Sequence, residues 1–253
     1  MDREFDELVA EAEAVSVEGW DFDWLEGRAT EERPSWGYAR LMAGRMGMAG
    51  AALDIATGGG EVLASVPILP TLTVATESWP PNVARATALL RPRGVAVVAV
   101  PDEPPLPFAD DTFDLVVCRH PVTAYFGDIA RLLQPGGTYF AQHVGPDSAF
   151  EVSDFFLGPL TRGDSGREPE LARREAEAAG LEVVDLRSER LRMEFFDVGS
   201  MIYFLRKVIW IVPGFTVDEH RQKLRELHER IRAEGPFVSY SARFLIEAHK
   251  PAT

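Results

Sequence analysis

Between residues 51 and 144 short β-rich apolar runs alternate with helical stretches, and this alternation constrains the fold more than any other feature of the chain. AALDIAT (51–57), TLTVATE (71–77), GVAVVAV (94–100), FDLVVCR (113–119) and TYFAQHV (138–144) read as strands. Residues 80–91, entered through Pro80 and Pro81, and residues 123–133, stopped by Pro135-Gly136-Gly137, read as the intervening helices. Strands joined through helices lie mostly parallel, with helices covering both faces of the sheet.

The flanks are more helical. Phe5, Leu8, Val9 and Ala12 recur at the spacing of an amphipathic helix over 2–16. After the aromatic run Trp20, Phe22, Trp24, a second helix is expected with Pro34 in its first turn and Tyr38, Leu41, Met42 and Arg45 at helical spacing. Toward the C-terminus the pattern predicts a helix at 168–179, a strand at 181–191, helices at 197–211 and 217–234, and a closing strand at 237–250. The expected organisation is one domain over 1–253: an N-terminal helical lid (1–48), a core (50–145), and a helical insertion (192–235) that exceeds a simple crossover and could cap a substrate.

A net charge of −14 opposes a nucleic-acid partner, because no basic block offsets it: Arg187–Arg192 contains Glu189, and the 221–232 helix carries Glu226 and Glu229. The single cysteine, Cys118, leaves no internal disulfide and no cysteine-based zinc site. The acidic start MDREFDELVAEAEA is unlike a secretory signal, and the apolar stretch 201–215 is broken by Arg206, Lys207 and Pro213. A cytoplasmic protein without a membrane partner is the expectation.

LDIATGGGE (53–61) combines a strand, a glycine-rich turn and a helix start, a place where backbone can approach a ligand and free amides can meet an anion. The dinucleotide pattern GxGxxG is missing, which argues against NAD. Glu77 closes the second strand, where a carboxylate can accept two ribose hydroxyls. Asp102 follows the third in VPDEPPLPF, FDLVV opens the fourth, and LLQPGGTYF leads into the fifth.

This ordered set resembles the class I methyltransferases that use S-adenosylmethionine (SAM), in particular the ubiquinone/menaquinone-biosynthesis-like branch (methyltransferase type 11), through its cadence LPF, FDLV and L-x-PGG over residues 50–145. The resemblance implies a Rossmann-like, seven-stranded, mostly parallel sheet whose last strand, supplied by 237–250, is antiparallel. It also implies that Asp54 and the turn Ala56, Thr57, Gly58 to Gly60 face the methionine end of SAM. Glu77 would then hold the ribose, and Asp102 with the Glu103 backbone the adenine. Arg119 and His120 would border the sulfonium. Ala56 departs from the family pattern, which has glycine there.

Methyl transfer is a direct displacement, so the protein mainly aligns the acceptor and excludes water. A hydroxyl acceptor is helped by a base, and His120 and His143, at the ends of neighbouring strands, are the candidates. Trp36 and Tyr38 are candidates for a lid over the cofactor, with core packing as the competing assignment. Phe195, Phe196, Tyr203, Phe204 and Trp210 are either the wall of an apolar acceptor pocket or helix packing. The functional expectation is methylation of oxygen, nitrogen or carbon on a small aromatic or apolar metabolite. A binding or scaffold protein that retains this fold and does no chemistry is the alternative, and the N-terminal helix and the 192–215 segment would be the contact surfaces of a homodimer.

Overall fold

The computed structural model describes residues 3–19, 22–101, 103–162 and 167–252; Trp20 and Asp102, both singled out above, lie outside them. In chain order the first half carries α1 (Arg3–Ala14), β1 (Ala29–Glu31), α2 (Tyr38–Met46), β2 (Ala51–Ile55), α3 (Glu61–Ala64), β3 (Leu72–Glu77), α4 (Pro80–Leu90), β4 (Ala96–Ala99) and β5 (Phe113–Arg119). The second half carries α5 (Phe126–Leu132), β6 (Leu133–Val144), α6 (Phe150–Leu157), α7 (Pro169–Ala178), β7 (Glu182–Phe195), α8 (Val198–Lys207), α9 (Val217–Glu234) and β8 (Phe237–His249).

The chain divides into two compact units, one made of 1–33, 147–164 and 190–242, the other of 34–146, 165–189 and 243–253. In the second unit β4, β3, β2, β5 and β6 are parallel neighbours, and β8 pairs antiparallel with β6 from Thr138↔His249 to Val144↔Arg243. The strand order continues through β8 to β7. The antiparallel closing strand expected from the family resemblance is therefore β8. Among the described residues the sheet has eight strands where seven were expected, because the three-residue β1 pairs with Met193–Phe195 of β7 inside the first unit.

Both faces of the second unit's sheet are covered, as near-continuous apolar strands require. On one face Tyr38, Met42 and Met46 of α2, Leu63 of α3, and Ala86 and Leu90 of α4 pack on Ala52, Ala75, Leu115, Val117 and Phe140. On the other, Phe126, Ile129 and Leu132 of α5 and Ala172 and Ala176 of α7 pack on Leu53, Val116, Cys118, Tyr139 and Ala141. Odd and even strand residues divide between the two faces, the period-two alternation of a strand.

The first unit has its own core, in which Phe5, Val9 and Ala12 of α1 meet Met201, Ile202 and Leu205 of α8 and Leu224 and Leu227 of α9. Helices α8 and α9 start on side-chain caps. Asp197 accepts from Ser200 N at 2.7 Å, and Thr216 accepts from Glu219 N while its hydroxyl donates to the Glu219 carboxylate at 2.8 Å. Phe195, Tyr203 and Phe204 belong to this unit's interior, whereas Phe196 and Trp210 are exposed. No helix among the described residues is long and apolar enough to cross a membrane.

Two local differences from the sequence reading have clear causes. The second helix begins at Tyr38, four residues after Pro34, because Gly37 takes a left-handed conformation (φ 63°) and its amide closes a separate turn onto Pro34 O. The strand expected at 138–144 starts at Leu133 and accommodates Pro135-Gly136-Gly137 through a register shift against β5. Helix α6 was not anticipated. Its eight residues are too few for a periodicity to stand out, although Val152 and Phe156 are buried four apart.

Candidate active site

From β2 the chain moves outward through β3 to β4, then returns to the other side of β2 to lay down β5 and β6. The order therefore reverses between β2 and β5, whose last paired residues are Ile55 and Cys118. In an open parallel sheet, loops leaving the strand ends on either side of such a point diverge and leave a crevice. Asp54 and Ala56 stand on one side of it, Arg119 and His120 on the other.

The loop after β2 is held by backbone amides. Ala56 has φ 54°, a left-handed conformation that a side chain makes costly, and its amide donates to Thr76 Oγ1 at 3.3 Å. Thr57 N donates to Thr76 O at 2.9 Å. Gly58 N donates to Glu77 Oε2 at 2.8 Å, while Glu77 Oε1 accepts from Ser78 N and Trp79 N, both at 3.0 Å. Glu77 is thus buried and fastened to the turn.

Gly58 (φ 65°) and Gly60 (φ 87°) differ in what they face. A Cβ on Gly58 would meet nothing within 4 Å, so the backbone there borders open space. A Cβ on Gly60 would come within 2.9 Å of the Leu90 side chain and 3.3 Å of Ala86 Cα, so this glycine serves the packing of α4. The turn expected to contact a ligand contains one position that can and one that is occupied by the fold.

Asp54 is buried, and burial pushes its carboxyl up to about 7; the Thr57 hydroxyl, donating to Oδ2 at 2.7 Å, opposes this and the charge of Glu77 adds to it. Around neutral pH this site can exchange a proton when a cation arrives.

The loop after β5 is held by side chains. His120 turns the chain with φ 62°, and its amide donates to Gln142 O at 2.6 Å. Its ring nitrogen Nε2 lies 2.9 Å from Gln142 Nε2, and Gln142 Oε1 accepts from the buried indole of Trp36 at 2.9 Å. Burial, then the charges of Arg119 and Arg243, hold the His120 pKa well below its usual value. Tyr38 is buried, donates to Cys118 O at 3.1 Å and stacks on Phe140. Burial foremost, then the Asp54 charge, raises its pKa well above the ordinary range. Trp36 and Tyr38 therefore form packed support at the strand ends, with their polar atoms engaged in the protein.

The two candidate histidines lie on opposite faces of the sheet. Asp54, Gln142 and the Trp36–Tyr38 segment share the α2 face, together with the His120 ring bonded to Gln142. His143 packs with Tyr139 and Phe244 on the α5 face, its ring 4.6 Å from Phe244 and its Nε2 3.1 Å from the Tyr139 hydroxyl. Burial pushes the His143 pKa down to about 3, so the ring is neutral throughout the physiological range. Arg119 and Glu103 are exposed.

Three contributors were not read from the sequence. Thr76 anchors the first loop through its hydroxyl and carbonyl, and Gln142 links Trp36 to His120. Asn82 is buried on α4 with no hydrogen-bond partner for Oδ1, on the same helix stripe as Ala86 and Leu90, which pack against Gly60. Thr and Asn are common enough that only the fold distinguishes these positions.

Comparison with known proteins bears directly on this site. Residues 53–141 match the sequence model of the family described as a methyltransferase domain. No curated protein matches the chain. Among solved structures, a candidate methyltransferase from Bacillus halodurans C-125 is similar with TM-score 0.60 and 18% identity over 86% of this chain and all of that one. The [4+2]-cyclase SpnF is similar with TM-score 0.53 and 19% identity over 85% of this chain and 81% of its own. Geranyl diphosphate methyltransferase, solved in complex with GPP and sinefungin, gives TM-score 0.50 and 14% identity over 84% of this chain and 77% of its own. With the glycine turn, the acid at the end of β3 and the antiparallel β8 in place, the chain has a class I methyltransferase fold, and the segment that matches the methyltransferase-domain model lies in its parallel strands.

Proposed function

We propose that this protein transfers the methyl group of SAM to a small aromatic or apolar metabolite. The observation that carries the reading is the turn at Gly58: its backbone borders open space while its amide is bonded to Glu77 at the end of the next strand. The residues present suit an adenosyl cofactor. The remaining lone pairs of Glu77 suit ribose hydroxyls, and the raised carboxyl of Asp54 suits a cationic amine or sulfonium. Glu103 and Asp102 would border the adenine.

When bound, SAM supplies an electrophilic methyl group that needs no covalent enzyme intermediate. The chain's own part is then positioning: the β2 loop, held by Thr76 and Glu77, holds one reactant, and the β5 loop with Arg119 and His120, supported by the packed Trp36 and Tyr38, holds the other. The net charge of −14 supports a small-molecule acceptor over nucleic acid. The geranyl diphosphate enzyme among the neighbours is consistent with a largely apolar one. A cytoplasmic setting agrees with the composition.

Isothermal titration with SAM, S-adenosylhomocysteine and NAD tests the reading. Micromolar binding of the first two and none of NAD is expected; no binding of either would overturn it. The cyclase among the neighbours favours one competing reading, a protein of this fold that performs different chemistry. SAM binding with no methyl transfer across an acceptor panel would support that reading.

A further inference from the structure

We infer that Trp36 and Gln142 are positioning residues that hold His120 in its Nδ1–H tautomer, so that the ring offers a hydrogen bond to the acceptor substrate and takes no proton from it. The acceptor's place beside His120 rests on the methyl-transfer reading; the tautomer does not.

Indole Nε1 can only donate, so the Gln142 atom 2.9 Å from it is the carbonyl oxygen. The other end of that amide is then NH2, which also can only donate, and it lies 2.9 Å from His120 Nε2. His120 Nε2 must accept. A neutral imidazole that accepts at Nε2 carries its proton on Nδ1. Turning the amide over would set donor against donor at Trp36 and lose a bond at a buried group, which is the expensive arrangement. Burial and the nearby Arg119 and Arg243 keep the ring in its neutral form.

The backbone adds its own constraint. His120 sits at φ 62° with its amide on Gln142 O, so one residue of β6 fixes both the main chain and the ring. Nδ1 makes no hydrogen bond with a described residue and, unlike Asn82 Oδ1, is not sealed from solvent. The one lone pair on the neutral ring is engaged by Gln142, and what faces outward is a proton. A ring in this state cannot serve as the base for a hydroxyl acceptor, but it can hold a carbonyl, carboxylate or phenolate oxygen. Arg119, adjacent in the chain and exposed at the end of β5, suits the same oxygen chemistry. The substrate class is therefore a small molecule that brings such an oxygen alongside the atom to be methylated.

Long-range 15N–1H correlation spectra of the chain, labelled in its histidine rings, test this directly. The expected result at neutral pH is a protonated Nδ1 and an unprotonated Nε2 at His120; the reverse would overturn the proposal. In Gln142→Glu the carboxylate accepts from both neighbours, so the proton should appear on Nε2, and an unchanged Nδ1–H signal would overturn the relay. If that variant fails to fold, Trp36→Phe frees the amide to turn, and a mixture of tautomers should replace the single one; persistence of one tautomer would count against Trp36. Titration with benzoate as an oxyanion probe should move the Nδ1–H resonance of the wild type, and no movement would remove the donor role. SAM titration of the same samples separates failure of the methyl-transfer reading from failure of this one.

Discussion

The two loops flanking the β2/β5 reversal solve the same geometric problem by different means. Each leaves its strand through a non-glycine residue in the left-handed region, Ala56 at φ 54° and His120 at φ 62°. The first is stabilised locally, by amides donating to Thr76 and Glu77 at the end of the next strand, 20 and 19 residues on. The second depends on Gln142, on the neighbouring strand, and on Trp36, which is 106 residues from Gln142. Strain at a strand end persists only where the surroundings over-determine it. Local and remote supports should therefore fail differently.

The largest effect is expected from Glu77→Ala. It removes the acceptor for three amides, each bond to a charged group being worth about 1.5–3 kcal/mol, so both stability in chemical denaturation and SAM affinity should fall, the latter at least about tenfold. The matching disruption of the other loop, Gln142→Leu, should cost stability while changing SAM affinity by less than about threefold, equivalent to roughly 0.7 kcal/mol. Equal losses of affinity in the two variants would erase the division between a cofactor loop and an acceptor loop.

Gly58→Val comes next. The side chain enters open space, so the fold should bear only the left-handed penalty of about 1–2 kcal/mol, while calorimetry should show SAM binding reduced by at least about tenfold. Normal affinity in a folded variant would mean that the open face of the turn is not where the cofactor lies.

A smaller, pH-dependent effect belongs to Asp54. Its folded pKa of about 7 is above the ordinary 3.8, so between these values the folded chain binds the extra proton more tightly than the unfolded chain, and stability declines as pH rises through that window. A bound cation favours the ionised carboxylate, so SAM affinity should rise by up to about tenfold from pH 6 to pH 8. Asp54→Asn should flatten both trends in parallel thermal and calorimetric titrations. A wild-type affinity independent of pH would place the cation elsewhere.

The smallest change is expected from Ala56→Gly. Relief of the left-handed strain and the added flexibility of the unfolded chain nearly offset each other, leaving a net gain of at most about 1 kcal/mol in thermal unfolding. SAM affinity should stay within about twofold. A large loss would show that Ala56 Cβ itself contacts the ligand.

The different reach of these supports explains what the sequence disclosed. The β2 loop was legible because its devices are close in sequence and chemically distinctive: a β-rich run, three contiguous glycines, and an acid ending the following strand. The parallel order and the antiparallel β8 followed from alternation and family resemblance. The β5 loop was legible only in part. His120 stood out as a residue type, but its tautomer depends on a glutamine that nothing local marks, and its face of the sheet on strand parity. His143 illustrates the same limit, since neighbouring strand ends look equivalent in sequence while Tyr139 and Phe244 close one of them over. Asn82 and Thr76 became noticeable only once their bonds, or the lack of one, were visible.

The Trp36–Gln142 bond also has a temporal meaning. Contacts between distant parts of a chain carry the larger loop-closure cost, and a segment as late as β6 must dock before this one can exist. A chain with β2, β3 and their glycine turn already paired could hold the first loop in shape while His120 still had no assigned proton. The donor would then be among the last properties the molecule acquires, and among the first it gives up when the pairing of β6 with β5 loosens.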